Sequence, residues 1–201
     1  MTRRDWLGAA MFAAAPRGTP LTVPIHRVVD ARARCSPETL HHFWSKVWPE
    51  AVIEFGRGGI QLQVEDGPGE MRRTAGGRPL FLGLHRGVLN LVLTDYIPVN
   101  WDSGRALAGV TLLYDGYPLS LIAMRFANSN QFPYFSVNTV VHELLHAFFG
   151  DIFVPHPNWY QPATGEWRAD SQATNLWLFR RSAAIRVAAE AYLKRVAQLP
   201  R

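Results

Sequence analysis

One stretch of the chain decides the predicted fold, and it reads Ser136-Val-Asn-Thr-Val-Val-His142-Glu143-Leu-Leu-His146-Ala-Phe-Phe-Gly150. Ser136 is predicted to cap the start of a helix, and Gly150 is predicted to close its end. Between these two residues the apolar side chains surround the helix on nearly all sides, which predicts that the helix is buried. Because polar groups are costly to bury, the three charged or ionisable side chains of this stretch require an explanation.

A zinc site provides that explanation. His142 and His146 are four residues apart, so on a helix they lie one turn apart on the same face. Two imidazoles in this arrangement can direct their nitrogens at one zinc ion, and a catalytic zinc site keeps a further position open for water. Glu143 lies beside the metal, where it is expected to act as the general base that takes a proton from the zinc-bound water.

The His-Glu-x-x-His pattern is specific enough to favour this interpretation. A chain with this number of His and Glu residues is expected to contain the pattern by chance only about 0.01 times. The structural alternative is a helix with two hydrogen-bonded core histidines and a surface glutamate. A buried helix tolerates such polar groups poorly when they lack partners, so the metal site is favoured.

A third protein ligand is predicted after this helix. Glu166 and Asp170 are four residues apart on a second predicted helix, and the face that they share is otherwise apolar. One of these carboxylates would bind the metal, and the other would accept a hydrogen bond from a ligand histidine. Glu166 is favoured as the ligand over Asp151, because a continued helix would rotate Asp151 off the ligand face. Asp151 and His156 remain alternatives, since the loop could close on the metal through either residue.

These residues resemble the gluzincin clan of zinc metallopeptidases, which includes thermolysin-like enzymes. The Glu-x-x-Ala-Asp segment that begins at Glu166 is also similar to the CAAX-processing membrane metallopeptidases, and the resemblance covers residues 136–180 only. It implies that His142, His146 and Glu166 bind Zn²⁺, that Glu143 is the catalytic base, and that Asp170 orients a ligand histidine.

The rest of the chain predicts an α+β fold. The expected architecture is zincin-like: a small mixed sheet packed on the helix of the His-Glu-x-x-His motif, with a helical C-terminal part. Ser36-Pro37-Glu38 is a helix-start signal, and Pro49 is expected to kink or split the helix that follows. Residues 16–30 are interpreted as a linker with a first extended segment, and residues 66–79 as an exposed loop. The predicted strands are 60–64, 88–93, 109–114 and 119–126.

Length and composition predict one domain over residues 21–201. The chain has 201 residues, of which 48% are hydrophobic, and a formal net charge of +5. Its basic residues are dispersed and no nucleic-acid-binding module is recognisable, so no nucleic-acid partner is expected. Residues 1–20 are interpreted as an export signal and linker, because Arg3-Arg4 precedes a short uncharged stretch that resembles a twin-arginine signal. That stretch is too short for an integral membrane span.

The sequence therefore predicts an exported zinc-dependent hydrolase, periplasmic or secreted, whose substrate is a peptide or protein. Two alternatives stay open at this stage. One is an exported zinc amidase that acts on cell-wall peptides or another non-protein substrate. The other is a non-catalytic zinc-binding protein, against which the presence of Glu143 argues, because an inactive site has no need of a base.

Overall fold

The computed structural model describes residues 19–75, 79–98, 106–125, 138–149 and 182–199. Several residues of the sequence predictions lie outside these ranges: Arg3, Arg4, Ser136, Gly150, Asp151, His156, Glu166 and Asp170. The export signal, the third metal ligand and the predicted helix after Glu166 consequently remain predictions.

A six-stranded mixed sheet forms the centre of the described structure. The strands are β1 (Leu21–Asp30), β2 (Ile60–Arg73), β3 (Pro79–Leu82), β4 (Leu89–Thr94), β7 (Gly109–Tyr114) and β8 (Tyr117–Ala123), with a separate short ribbon of β5 (Ile97–Pro98) and β6 (Ala106–Leu107). Their order across the sheet is β3-β2-β1-β4-β8-β7. The four inner strands are mutually parallel, whereas β3 and β7 run antiparallel to their neighbours. This arrangement confirms an α+β architecture with a mixed sheet.

The first extended segment proves to be an inner strand of this sheet. β1 pairs with β2 on one side and with β4 on the other. Val23 and Ile25 are buried on one face, and Val28 is buried on the opposite face. A strand with apolar contacts on both faces lacks the clean alternation of a half-buried strand. The extended segment expected within residues 16–30 is thus the strand Leu21–Asp30.

The prediction of a loop over residues 66–79 is wrong for most of its length. β2 continues to Arg73, and Gly67 and Gly69 pair in register with Val28 and Asp30. Both glycines stand where another part of the chain approaches closely. A Cβ atom on Gly67 would overlap the ring of His26, and one on Gly69 would overlap the backbone of the β3 strand. The glycines thus permit close packing within a strand instead of marking a loop.

Helices cover one face of the sheet. They are α1 (Pro37–His42), a π-helical turn (Phe43–Val47), α2 (Trp48–Arg57), α3 (Thr139–Phe149) and α4 (Ser182–Ala197). The predicted start at Ser36 is confirmed, since its Oγ accepts a hydrogen bond from the Thr39 amide at 3.2 Å. No split occurs at Pro49: the backbone stays helical from Pro37 to Arg57, and the proline lies in the first turn of α2, just after the π-helical turn.

The main hydrophobic core lies between these helices and the sheet. Phe148 of α3 is its centre: its ring contacts Phe55 of α2 at 5.8 Å and Tyr192 of α4 at 5.6 Å, measured between ring centroids. Burial of one such side chain stabilises the fold by about 1.5–3 kcal/mol. A smaller cluster covers the opposite face, and no helix in the described part of the chain is long and apolar enough to cross a membrane.

Candidate metal centre

The α3 helix that carries His142 and His146 is fixed at its start by Asn138. The side-chain Oδ1 of Asn138 accepts a hydrogen bond from the Val141 amide at 3.2 Å, which is the role of a helix cap. Its Nδ2 donates to the Val47 carbonyl at 2.6 Å, so the same side chain ties α3 to the π-helical turn. Asn138 is buried. It caps α3, a role that the sequence predicted for Ser136, which lies outside the described residues.

The side chains of the two motif histidines meet on one face of α3, within hydrogen-bonding distance of each other. Their Nε2 atoms lie 3.0 Å apart, and their rings meet edge to face with centroids separated by 4.5 Å at 84°. Two nitrogens bound to one tetrahedral zinc ion at about 2.0–2.1 Å would lie about 3.4 Å apart. A small rotation of either ring accounts for the difference. His142 is half-buried and His146 is 6% exposed, so the convergence point lies at the margin of the core.

His142 and His146 are suited to supply two of the protein ligands that a zinc ion needs. Within the described ranges, no third His, Cys, Asp or Glu joins His142 and His146 in a group that could hold a metal. The predicted third ligand, Glu166, and its alternatives Asp151 and His156 all lie outside those ranges. The structure thus brings together the two imidazoles and the adjacent glutamate, while the remaining ligand stays a prediction.

Glu143 is buried against the edge strand β7. Its side chain is only 4% exposed, although a glutamate is almost never buried without a partner. The hydroxyl of Thr111, on β7, donates to Glu143 Oε2 over 2.8 Å and also lies 2.9 Å from the backbone oxygen of Glu143. The carboxyl group of the predicted base is therefore attached to the sheet by a hydrogen bond.

Gly109 provides the space that the Glu143 side chain occupies. It lies two residues before Thr111 on β7, and so on the same face of the strand. A Cβ atom at Gly109 would come within 2.6 Å of both Cγ and Oε1 of Glu143. Real Cβ atoms essentially never approach this closely, so an alanine at this position would displace the carboxylate.

A cavity of about 340 Å³ adjoins this site. His146 and Thr111 belong to its lining, so the cavity borders both a candidate metal ligand and the residue that holds the base. The other described lining residues are mostly apolar: Leu89, Leu112, Leu113, Pro118, Leu119, Ala147, Tyr192, Arg195, Val196 and Leu199. Apolar walls with a few polar groups are typical of a pocket that binds a small ligand or a single side chain.

The α4 helix contributes two further polar residues, Tyr192 and Arg195, to the cavity wall. Arg195 donates a hydrogen bond from Nη2 to the Phe148 carbonyl at the end of α3, at 3.1 Å. Burial raises the pKa of the Tyr192 hydroxyl far above its ordinary value, although the nearby positive charge of Arg195 opposes the shift. Tyr192 consequently presents a neutral phenol at physiological pH.

A second pair of histidines lies on the opposite face of the sheet. The rings of His26 and His85 stack with centroids 3.6 Å apart and an interplanar angle of 7°. His26 is 2% exposed, and its Nε2 lies 2.9 Å from the Gly83 carbonyl oxygen. Its ring fills the space above Gly67, which gives this pair a role in packing.

The contacts of Thr111 and Gly109 with Glu143 were not predicted from the sequence. Both residues occur in a strand that was predicted correctly, Gly109–Tyr114, but nothing in the local sequence indicates which strand faces α3. The one available signal is the glycine itself, because a glycine inside a strand often marks a place where another group approaches closely.

Comparisons of the chain with protein-family models, with curated proteins and with solved structures found no match to any of them.

Proposed function

We propose that this protein is a zinc-dependent hydrolase of zincin-like fold that cleaves peptide bonds. One observation carries the proposal: the Nε2 atoms of His142 and His146 converge to 3.0 Å on a buried helix, with Glu143 between them in the chain. The mixed sheet that packs on this helix, with the antiparallel edge strand β7 beside Glu143, agrees with the expected architecture.

His142 and His146 would hold the zinc ion, with Glu166 as the proposed third ligand. When bound, zinc would lower the pKa of a water molecule and polarise the carbonyl group of the substrate. Both imidazoles must be neutral to bind the metal.

Glu143 would move the proton. A carboxylate accepts hydrogen bonds at both oxygens, and Oε2 already accepts one from Thr111. The carboxylate would accept a proton from the attacking water and later donate it to the leaving amine nitrogen. One group serves in both steps because the first step leaves it protonated.

The cavity beside His146 supports a substrate with an apolar side chain. A volume of about 340 Å³ is at the lower end of the range for ligand pockets, which run from about 300 Å³ upwards. Its mostly apolar lining favours Leu, Phe or a similar residue next to the bond that is cleaved. A peptide fits this site better than a strongly polar sugar does, because a sugar would lose its hydrogen bonds with water there.

The test is peptide hydrolysis by the purified full chain, measured before and after zinc chelation and again after zinc is restored. Glu143→Gln should keep its zinc and lose turnover by about 10²- to 10⁴-fold, the usual contribution of a general base. Glu190→Gln is the matched control, since Glu190 lies on α4 and pairs with Arg186 away from the site. Full activity of Glu143→Gln, or no hydrolysis of any peptide by the zinc-loaded wild type, would refute the proposal.

A further inference from the structure

Two residues of the edge strand β7 enclose the carboxylate of Glu143 from one side. Thr111 hydrogen-bonds Oε2, and Gly109 leaves the space beside Oε1 and Cγ. Both residues lie on the face of β7 that is turned towards α3, since alternate residues of a strand share a face. The carboxylate thus meets a hydrogen-bond donor at one oxygen and a close backbone surface at the other.

The Thr111 hydroxyl is itself held by Ser120. Thr111 and Ser120 are direct cross-strand partners in β7 and β8, and their hydroxyl oxygens lie 2.9 Å apart. The single hydroxyl hydrogen of Thr111 is directed at Glu143, where Oε2 lies at 2.8 Å and the backbone carbonyl oxygen, which can only accept, lies at 2.9 Å. Ser120 then donates to Thr111, which gives a chain of two hydroxyl groups that ends on Glu143. Ser120 is fully buried, so bulk water does not compete for its hydroxyl.

From these contacts we infer that Thr111 and Gly109 are positioning residues that fix the orientation of the Glu143 carboxylate before substrate binds. The inference rests on the proposed function of Glu143 as a base. A free glutamate side chain samples many rotamers, and restricting it in advance removes that entropy cost from the reaction. The restriction is useful only if the carboxylate is held close to its productive orientation.

A purely structural role is the competing explanation, because Thr111 also packs between α3 and the sheet. Two substitutions separate the explanations. Thr111→Val keeps the shape of the side chain and loses the hydroxyl, whereas Thr111→Ser keeps the hydroxyl and loses a methyl group. A packing role predicts that valine is tolerated at least as well as serine, and a positioning role predicts the reverse.

The experiment measures kcat, KM and zinc affinity for the wild type and both Thr111 variants, on a peptide that the wild type hydrolyses. We expect Thr111→Val to lower kcat by about 10- to 100-fold, as misplacement of a reacting group by about 1 Å does. KM and zinc affinity, the latter from competition with a chelator, should stay close to wild type. Thr111→Ser should restore kcat to within about threefold of wild type, since the bond to Oε2 is retained.

Gly109→Ala is the second variant, and it keeps the inference testable if Thr111→Val does not fold. Its new Cβ would displace the carboxylate, so kcat should fall while zinc affinity is retained. Gly56→Ala is the control, because a Cβ at Gly56 meets nothing within 4 Å.

The outcomes separate this inference from the proposed function. Unchanged kcat in both Thr111→Val and Gly109→Ala, or equal losses in Thr111→Val and Thr111→Ser, would overturn the positioning role while wild-type turnover still supported the hydrolase. A zinc-loaded wild type without turnover would overturn both.

Discussion

Two pairs of histidines lie on opposite faces of the same sheet, and they differ in how their rings meet. His142 and His146 meet edge to face with their Nε2 atoms 3.0 Å apart. His26 and His85 stack in parallel, with ring centroids 3.6 Å apart. The ring nitrogens of stacked imidazoles point outwards in parallel planes, so they cannot share one cation. The edge-to-face pair has nitrogens that converge on a common point, as a metal site requires.

The difference follows from how the chain brings each pair together. A helix places residues four apart one above the other, so their side chains can converge from one backbone element. His26 comes from β1 and His85 from the connection between β3 and β4, and their rings fill the gap that Gly67 leaves. Proximity of two histidines is therefore a poor sign of a metal site, whereas convergence of their nitrogens is a good one.

The largest expected effect is the loss of zinc when the convergent pair is removed. The double variant His142→Ala, His146→Ala should weaken zinc binding by much more than about 100-fold. A loss of about 100-fold is the largest usually caused by removing a residue that only hydrogen-bonds a metal ligand. His26→Ala with His85→Ala is the matched control and should leave zinc affinity unchanged. Elemental analysis and chelator competition measure both. Equal losses in the two double variants would contradict the distinction between the pairs.

A smaller effect is expected from filling the cavity beside His146. Ala147 lines that cavity and is only partly buried, so Ala147→Leu should reduce the space for a substrate side chain. The ratio of kcat/KM for a peptide with a small apolar residue to kcat/KM for one with a large apolar residue should rise by about tenfold. This is near the lower end of the discrimination that one methylene group produces in a hydrophobic pocket. Competition between two peptides that differ only in that residue measures the change. An unaltered preference would show that the cavity does not receive the substrate.

The last expected effect concerns the stacked pair and is one of stability alone. Gly67→Ala would place a methyl group against the His26 ring, and the free energy of unfolding should fall by about 1–3 kcal/mol, as for other overpacked cores. Gly56→Ala, in the open part of α2, should instead stabilise the protein by up to about 1 kcal/mol. Denaturant unfolding measures both. Zinc affinity should not change in either variant, and a change in Gly67→Ala would link the stacked pair to the metal site.

Those parts of the structure that depend on short-range patterns were predictable from the sequence. The spacing of His142 and His146 determines their shared helix face, and Ser36 with Pro37 determines a helix start. Strand β7 and its turn to β8 are also evident from the sequence, because Asp-Gly is a common pair in hairpin turns. Asp115 and Gly116 adopt the positive φ angles of such a turn.

Parts that depend on long-range pairing were not predictable. The glycines at 67 and 69 resemble a loop until β1 and β3 are known to pack against them. Thr111 gains its role only because β7 is the strand that lies against α3, and strand order across a sheet is not encoded in any local pattern. The stacking of His26 on His85 likewise joins residues whose proximity only the assembled sheet determines.

Zinc K-edge X-ray absorption on the purified full chain tests the central claim most directly. The account predicts one zinc ion per chain, bound by two imidazole nitrogens at about 2.0–2.1 Å with oxygen completing the coordination. The imidazole scattering should disappear in the His142→Ala, His146→Ala double variant and remain in the His26→Ala, His85→Ala variant. Absence of zinc in protein purified without chelators, or a first shell with no imidazole contribution, would contradict the account.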